Sequence, residues 1–283
     1  MDRYSVFAPR LLPQEEDFVA GLRSCPGCGR AMAVRIIAKA LAHSRRYPYG
    51  SPAGQLRDSG LPYSGWWLFD GKSFAPAPKA AADRIAAAAG EASSLDQGLA
   101  LCAEARKKKQ PFLYICFFNE AGIERHSASA GPGYYPDRTC GILQRFEKMQ
   151  ACLKKAKAAK PDYFATACPA YPFDCIEKIS AALRCGGTGF IGMLVPCPTG
   201  CLYDPALSLD SGKRAVDTGL FPLYEAAKGS CTLTVAATAP ASCYTRLQPL
   251  VPAISGRELE QIQNLADKNL RGLSGRKTTI SST

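Results

Sequence analysis

Two cysteine pairs and one strand end concentrate the residue types able to do chemistry in this chain. Cys25-Pro26-Gly27-Cys28-Gly29 stands directly before a helical pattern, and Cys197-Pro198-Thr199-Gly200-Cys201 follows an apolar run. Thiolates at such spacing serve zinc, iron-sulfur clusters or thiol redox chemistry, and a C-x-x-C by itself does not choose among them. Cys201 falls about one helical turn after Cys197. The third feature is Asn119-Glu120, at the end of the apolar run Phe112 to Phe118. Ligands of open α/β sheets collect at the carboxyl ends of strands, so topology alone makes this position a site candidate. The two histidines, His43 and His126, lie far apart in the sequence and fit neither a catalytic triad nor an H-E-x-x-H metal site. His43 reads as a helix-end residue favoured by the dipole, and His126 as a solvated loop residue, with contact to a diphosphate or a substrate carboxylate as the functional alternative.

The elements that must position these residues alternate between helices and short apolar strands, the pattern of a layered α/β domain. Ala33, Ile36, Ile37, Ala40 and Leu41 share one helical face opposite Arg35 and Lys39. Tyr47 to Ser64 is rich in Gly, Pro, Ser and Tyr and reads as loop, with Trp66-Trp67 in a packed loop beyond it. The spacing predicts helices from about Lys79 to Ala89, ending at Gly90, and from Leu95 to Lys109. Phe112 to Phe118 is apolar on both faces and reads as a central buried strand. A glycine-rich loop, Ser127 to Arg138, and a lysine-rich helix to Lys160 follow. Tyr163 to Ala167 reads as a strand, Pro172 to Leu183 as a helix and Phe190 to Val195 as a third strand. From Ser230 the composition shifts to Thr, Ala and Pro, with a last helix from about Gly256 to Leu270 and a tail from Ser274. This divides the chain into a main domain, 1–229, and a C-terminal extension, 230–283.

Composition excludes several classes. The 283 residues, 47% hydrophobic, suffice for a sizeable core and argue against general disorder. No apolar run reaches the roughly 18 residues of a membrane span, and Met1 to Phe18 lacks the apolar stretch of a signal peptide, so the reading is cytoplasmic, with no membrane association. Thirteen cysteines, an odd number, in a chain without that signal argue against a disulfide scaffold. Most lie among apolar neighbours, as Cys116 and Cys185 do, and are expected to be buried as small hydrophobes. The net charge of +11 is concentrated in Lys107-Lys108-Lys109 and in Lys154, Lys155, Lys157 and Lys160, without interleaved aromatics. That distribution points to solvated helix surface rather than to nucleic acid, with an acidic protein partner as the functional alternative.

Six collinear segments resemble the beta subunit of pyruvate:ferredoxin and related 2-oxoacid:ferredoxin oxidoreductases, across nearly the whole chain. They are Cys25-Pro26-Gly27-Cys28-Gly29; Phe112 to Cys116 with Asn119-Glu120-Ala121; Gly122-Ile123-Glu124-Arg125; Tyr163 to Ala167 with Ala170-Tyr171-Pro172; Pro196 to Gly200 with Asp204-Pro205; and Ala215 to Leu220 with Pro222-Leu223-Tyr224-Glu225. Trp66-Trp67 matches the family's P-Y-T-A-W only loosely.

The resemblance implies a thiamine-diphosphate-binding α/β fold, a mainly parallel sheet flanked by helices. It implies oxidative decarboxylation of a 2-oxoacid, with pyruvate as the first expectation, to acyl-CoA with electrons passed to ferredoxin. The expected partners are alpha, gamma and delta-type subunits, ferredoxin, coenzyme A and the 2-oxoacid. By the same resemblance Gly27, Cys28 and Gly29 belong to the cofactor-binding N-terminal motif. The family's magnesium-binding G-D-G falls on Gly90-Glu91-Ala92, where glutamate replaces aspartate and alanine replaces glycine. Asn119 and the carbonyl of Ala121 take the next two Mg²⁺ ligand positions. Ala121 then runs directly into Gly122, about four residues short of the family's loop. Of the family's four [4Fe-4S] ligands, Cys25, Cys28 and Cys197 match; the other falls near Ala53, which leaves Cys201 as the replacement ligand or the Cys25/Cys28 pair as a residual or zinc-binding pair. A paralogue that keeps the fold and assembly surface but has lost the cofactor site is the competing expectation.

Overall fold

The computed structural model describes residues 25–43, 66–69, 86–122, 141–248 and 254–274. Among the described residues seven strands form one sheet: β1 Trp66–Phe69, β2 Ala86–Glu91, β3 Phe112–Asn119, β4 Tyr163–Ala167, β5 Thr188–Val195, β6 Tyr224–Ala227 and β7 Ser230–Leu233, in the order β1-β2-β3-β5-β4-β6-β7. The first five in that order pair in parallel; β6 pairs antiparallel with β4, and β7 antiparallel with β6. The helices are α1 Gly29–His43, α2 Leu95–Lys107, α3 Ile142–Ala158, α4 Pro172–Arg184, the short α5 Pro198–Cys201, α6 Ser208–Asp217, the short α7 Ser242–Thr245 and α8 Gly256–Ser274. The expected mainly parallel sheet flanked by helices is what the chain forms.

The side chains of β3 explain how both faces are covered. Tyr114, Cys116 and Phe118 enter a core shared with α2, α3, α6 and α8. Leu113, Ile115 and Phe117 enter a second core shared with α1 and α4. Successive strand residues point to opposite faces, so a strand covered on both sides must be apolar at every position. β3 is buried from Phe112 through Phe118, as that rule requires.

Several expectations are corrected. Ala86–Glu91 is a strand, not the end of a helix from Lys79; residues 79–85 lie outside the described residues. Alanine favours helix intrinsically, but here the segment lies between two parallel partners, and tertiary pairing overrides that preference. Gly90 is therefore a ladder residue paired with Phe69 and Cys116, and Glu91 lies at the carboxyl end of β2. Trp66-Trp67 opens β1 rather than a loop. Cys185 is exposed just past the end of α4, whereas Cys116 is buried as expected. Lys39 is buried despite its place on the predicted polar face of α1. The 229/230 boundary read from composition lies between β6 and β7, and Tyr244, Ile262 and Ala266 share a buried cluster with Phe118 and Phe146. The loops at 47–64 and 127–138, His126, Ala53 and the tail beyond Ser274 lie outside the described residues.

Candidate functional site

The carboxyl edge of the parallel sheet gathers most of the residues singled out above. β3 and β5 are neighbours, with Asn119 in register with Val195, so Asn119-Glu120-Ala121 and Pro196-Cys197 leave the sheet side by side. β2 ends on the other side of β3, with Glu91 opposite Phe117. The N-terminus of α1 is tied to the same edge, because the Gly29 amide donates to the Pro196 carbonyl at 2.9 Å.

This last contact depends on glycine. A Cβ at Gly29 would stand 2.4 Å from the Pro196 nitrogen and 2.5 Å from its oxygen, closer than any non-bonded carbon tolerates. Gly27, in the turn at φ +67°, would meet the Pro205 oxygen at 2.5 Å. Gly29→Ala should therefore push the cysteine turn off β5 and cost about 1–3 kcal/mol, the usual range for overpacking. Urea denaturation checks this, and an unchanged midpoint would show that the turn docks without close backbone contact.

Asn119 makes a tight local turn: its Oδ1 accepts the Ala121 amide at 2.9 Å, its carbonyl accepts the Gly122 amide at 2.9 Å, and Gly122 takes φ +69°. An amide oxygen has two lone pairs, so Oδ1 can accept that hydrogen bond and still offer an oxygen to a cation. Asn119 is half-buried and Ala121 buried. Side-chain amide and backbone carbonyl oxygens suit a small hard cation such as Mg²⁺. The Glu91 side chain is outside the described set, so its place here is that of its strand position.

The four cysteines do not form a comparable set. Cys25 and Cys28 are half-buried in a turn closed by the Cys28 amide and the Cys25 carbonyl at 3.2 Å. Cys197 and Cys201 are buried, and burial pushes the Cys197 thiol up to about 12, against the opposing hydrogen bonds of the Gly200 backbone and the Asn119 side chain. Cys28 lies near enough to add to that rise. Cys201 is also raised well above the usual thiol range, mainly by burial and then by Glu120, with Arg145 opposing. Its Sγ accepts from Arg145 Nη1 at 3.0 Å. A cluster ligand must present an ionised sulfur to iron. Cys201 presents its sulfur to a guanidinium instead. Among the described residues, no group of three His, Cys, Asp or Glu side chains is arranged to hold a metal ion. The donor set as placed does not fit a [4Fe-4S] cluster held by Cys25, Cys28, Cys197 and Cys201.

The densest polar constellation was missed from the sequence. Glu120 is 1% exposed. Its Oε2 accepts from the Cys197 amide at 2.9 Å and Tyr203 Oη at 2.5 Å, and its Oε1 accepts from Ser211 Oγ, from Tyr244 Oη at 2.7 Å and from Gln248 Nε2 at 3.4 Å. Buried Arg145 donates from Nη1 to the Glu120 carbonyl at 3.2 Å and from Nη2 to Gln248 Oε1 at 3.3 Å. Burial and the nearby Glu120 hold the Tyr203 and Tyr244 phenols well above their ordinary range. Two signals were present: Glu120 is a charge directly beyond a wholly apolar strand, and Arg145 interrupts the apolar face formed by Ile142, Phe146, Met149 and Leu153. The remaining members lie 77 to 128 residues from Glu120 in sequence, and no local pattern connects them.

Compared with proteins of known role, the chain is homologous to subunits of oxidoreductases named for 2-oxoacids. It is 28% identical to pyruvate synthase subunit PorB of Methanocaldococcus jannaschii, over 92% of this chain and 97% of that one. It is 29% identical to the PorB of Methanothermobacter thermautotrophicus, over 79% and 84%. With ketoisovalerate oxidoreductase subunit VorB of Pyrococcus abyssi it shares 28% identity over 77% and 78%. No family model matches the chain. Among solved structures it resembles a 2-oxoglutarate:ferredoxin oxidoreductase from Magnetococcus marinus, with a TM-score of 0.38, 15% identity and 70% of each chain covered. The sequence relatives carry the likeness: over most of its length the chain is similar to subunits of pyruvate synthase and ketoisovalerate oxidoreductase, as the collinear motifs lead one to expect.

Proposed function

We propose that this chain is the thiamine-diphosphate-binding subunit of a 2-oxoacid:ferredoxin oxidoreductase, most simply one acting on pyruvate. The supporting observation is the edge where Asn119-Glu120-Ala121 leaves β3 beside the end of β2, because it sets oxygen donors where the resemblance expects Mg²⁺. In this reading Glu91, Asn119 and the Ala121 carbonyl hold Mg²⁺ and through it the diphosphate, and the Gly90 and Gly122 backbones lie alongside. The bound thiazolium supplies the electron sink that decarboxylation of a 2-oxoacid requires. The balanced reaction takes a 2-oxoacid, coenzyme A and two oxidised ferredoxins to acyl-CoA, CO₂, two reduced ferredoxins and a proton. The chain's own contribution is to orient the diphosphate; alpha, gamma and delta-type subunits would complete the site and carry the electrons away. Among the described residues no helix is long and apolar enough to cross a membrane. A cytoplasmic location accords with that reading.

The test is calorimetry of thiamine diphosphate with Mg²⁺ on the assembled complex. Micromolar binding is expected, weakened at least tenfold in both Glu91→Ala and Asn119→Ala. Intact subunit association without binding supports a second reading, a paralogue that keeps the fold and assembly surface only. The hydrogen bond from Arg145 to Cys201 favours that second reading for the cluster. Iron and acid-labile sulfide analysis of anaerobically purified protein separates the two there: four iron atoms per chain would show that the cysteines rearrange on loading.

A further inference from the structure

Every polar group of Glu120 is engaged. Its amide donates to the Val195 carbonyl at 3.0 Å, its carbonyl accepts from Arg145, and its carboxylate accepts five donors. The donors come from four separate places: the turn after β5, Tyr203, α6 and the segment Tyr244 to Gln248. A carboxylate accepts at both oxygens and donates at neither, which is what five converging donors require; a glutamine would turn an N–H₂ group toward one set of them. The residue buried at this hub is also the chain neighbour of both Asn119 and Ala121. Any rotation of the Glu120 backbone therefore displaces both oxygen donors together.

We propose that Glu120 is a positioning residue. It fixes the Asn119–Ala121 turn and the Cys197 turn relative to each other, and it makes the C-terminal segment, through Tyr244 and Gln248, part of the support of the site. The cofactor arm of this inference rests on the reading of Asn119 and Ala121 as metal ligands; the structural arm does not.

The experiment compares wild type with Glu120→Gln, Tyr203→Phe and Tyr244→Phe in the assembled complex. Amide hydrogen exchange at Ala121, Gly122 and Cys197, and affinity for thiamine diphosphate with Mg²⁺, are both measured. In Glu120→Gln, exchange at these three amides should accelerate at least tenfold while amides of α4 in the opposite core, such as Ile179, keep their protection. The two tyrosine variants, which lose one donor each and preserve ring packing, should show the same local pattern at roughly threefold. The dissociation constant for thiamine diphosphate should rise in the same order. If Glu120→Gln fails to fold, the tyrosine pair decides the matter. Unchanged exchange at Ala121 and Cys197 in folded variants overturns the inference, as does acceleration spread equally to α4. A wild-type complex that binds no thiamine diphosphate removes the proposed function, while the exchange pattern still decides the role of Glu120.

Discussion

Replacing Lys178 by alanine is expected to lower the unfolding free energy by about 3–5 kcal/mol, because it leaves a buried carboxylate without its partner. Lys178 and Asp174 lie one turn apart on α4, their side chains 2% and 1% exposed, with Nζ to Oδ2 at 2.7 Å. The ammonium spends its other two donors on the Thr166 carbonyl and Thr234 Oγ1, both at 2.8 Å, so all three of its protons are placed. Asp174 is less well satisfied: its Oδ1 has no hydrogen-bond partner among the described residues. Burial raises the Asp174 pKa, with Lys178 opposing the rise. In the variant the opposition is gone and the folded value stands further above the unfolded one, near 3.9. The native state then holds this proton more tightly than the unfolded chain does. Stability of Lys178→Ala should therefore fall as pH rises from about 4 toward the raised folded value, and level off above it. Urea denaturation across that window reads both effects. The double variant Asp174→Leu/Lys178→Met, which removes both charges and keeps apolar volume, should recover most of the loss. A single-variant loss under about 1 kcal/mol would show that the pair contributes little beyond its packing.

The second large effect is expected at Phe164. Its ring stacks on Phe190 at 5.3 Å and 16°, and on Tyr224 at 5.8 Å and 28°, and so ties β4 to β5 on one side and to β6 on the other. The Lys157 ammonium stands 5.1 Å from the Tyr224 centroid and 5.7 Å from that of Phe164. Phe164→Ala removes the middle of this stack from a core that closes only partly, at a cost of about 3–5 kcal/mol. Phe164→Leu keeps most of the volume and should lose less than about 2 kcal/mol, since shape rather than area changes. Thermal and urea denaturation of both variants check the ranking. Equal losses would show that ring stacking, not filled volume, holds this junction.

Both effects bear on how the site is built. Lys178 links α4 to Thr166 of β4 and to Thr234 just beyond β7, and Phe164 links the parallel strands to the antiparallel pair. The segment that follows that pair delivers Tyr244 and Gln248 to Glu120. Composition marks residues 230 onward as different in character, but their packing makes them part of the same core and of the support of the same site. A truncation before β7 would remove two of the five donors to that carboxylate along with an edge of the sheet.

What the sequence by itself determined was local. Unbroken apolar runs required strands covered on both faces, and β3, β4 and β5 are buried accordingly. Asn119 could be placed at a strand's carboxyl end because the run of apolar residues stops there. The collinear motifs pointed to the family that the homologues then supported. What only the tertiary structure decided was everything that depends on partners distant in the chain. Ala86–Glu91 became a strand because two neighbours offered it hydrogen bonds, against its own helix preference. Cys201, one turn from Cys197 and so a plausible ligand by spacing, has its sulfur against Arg145 because α3 brings that guanidinium in from 56 residues away. Glu120 became the centre of the site for the same reason. A buried carboxylate must gather donors, and these come from residues whose only common property is where the fold puts them.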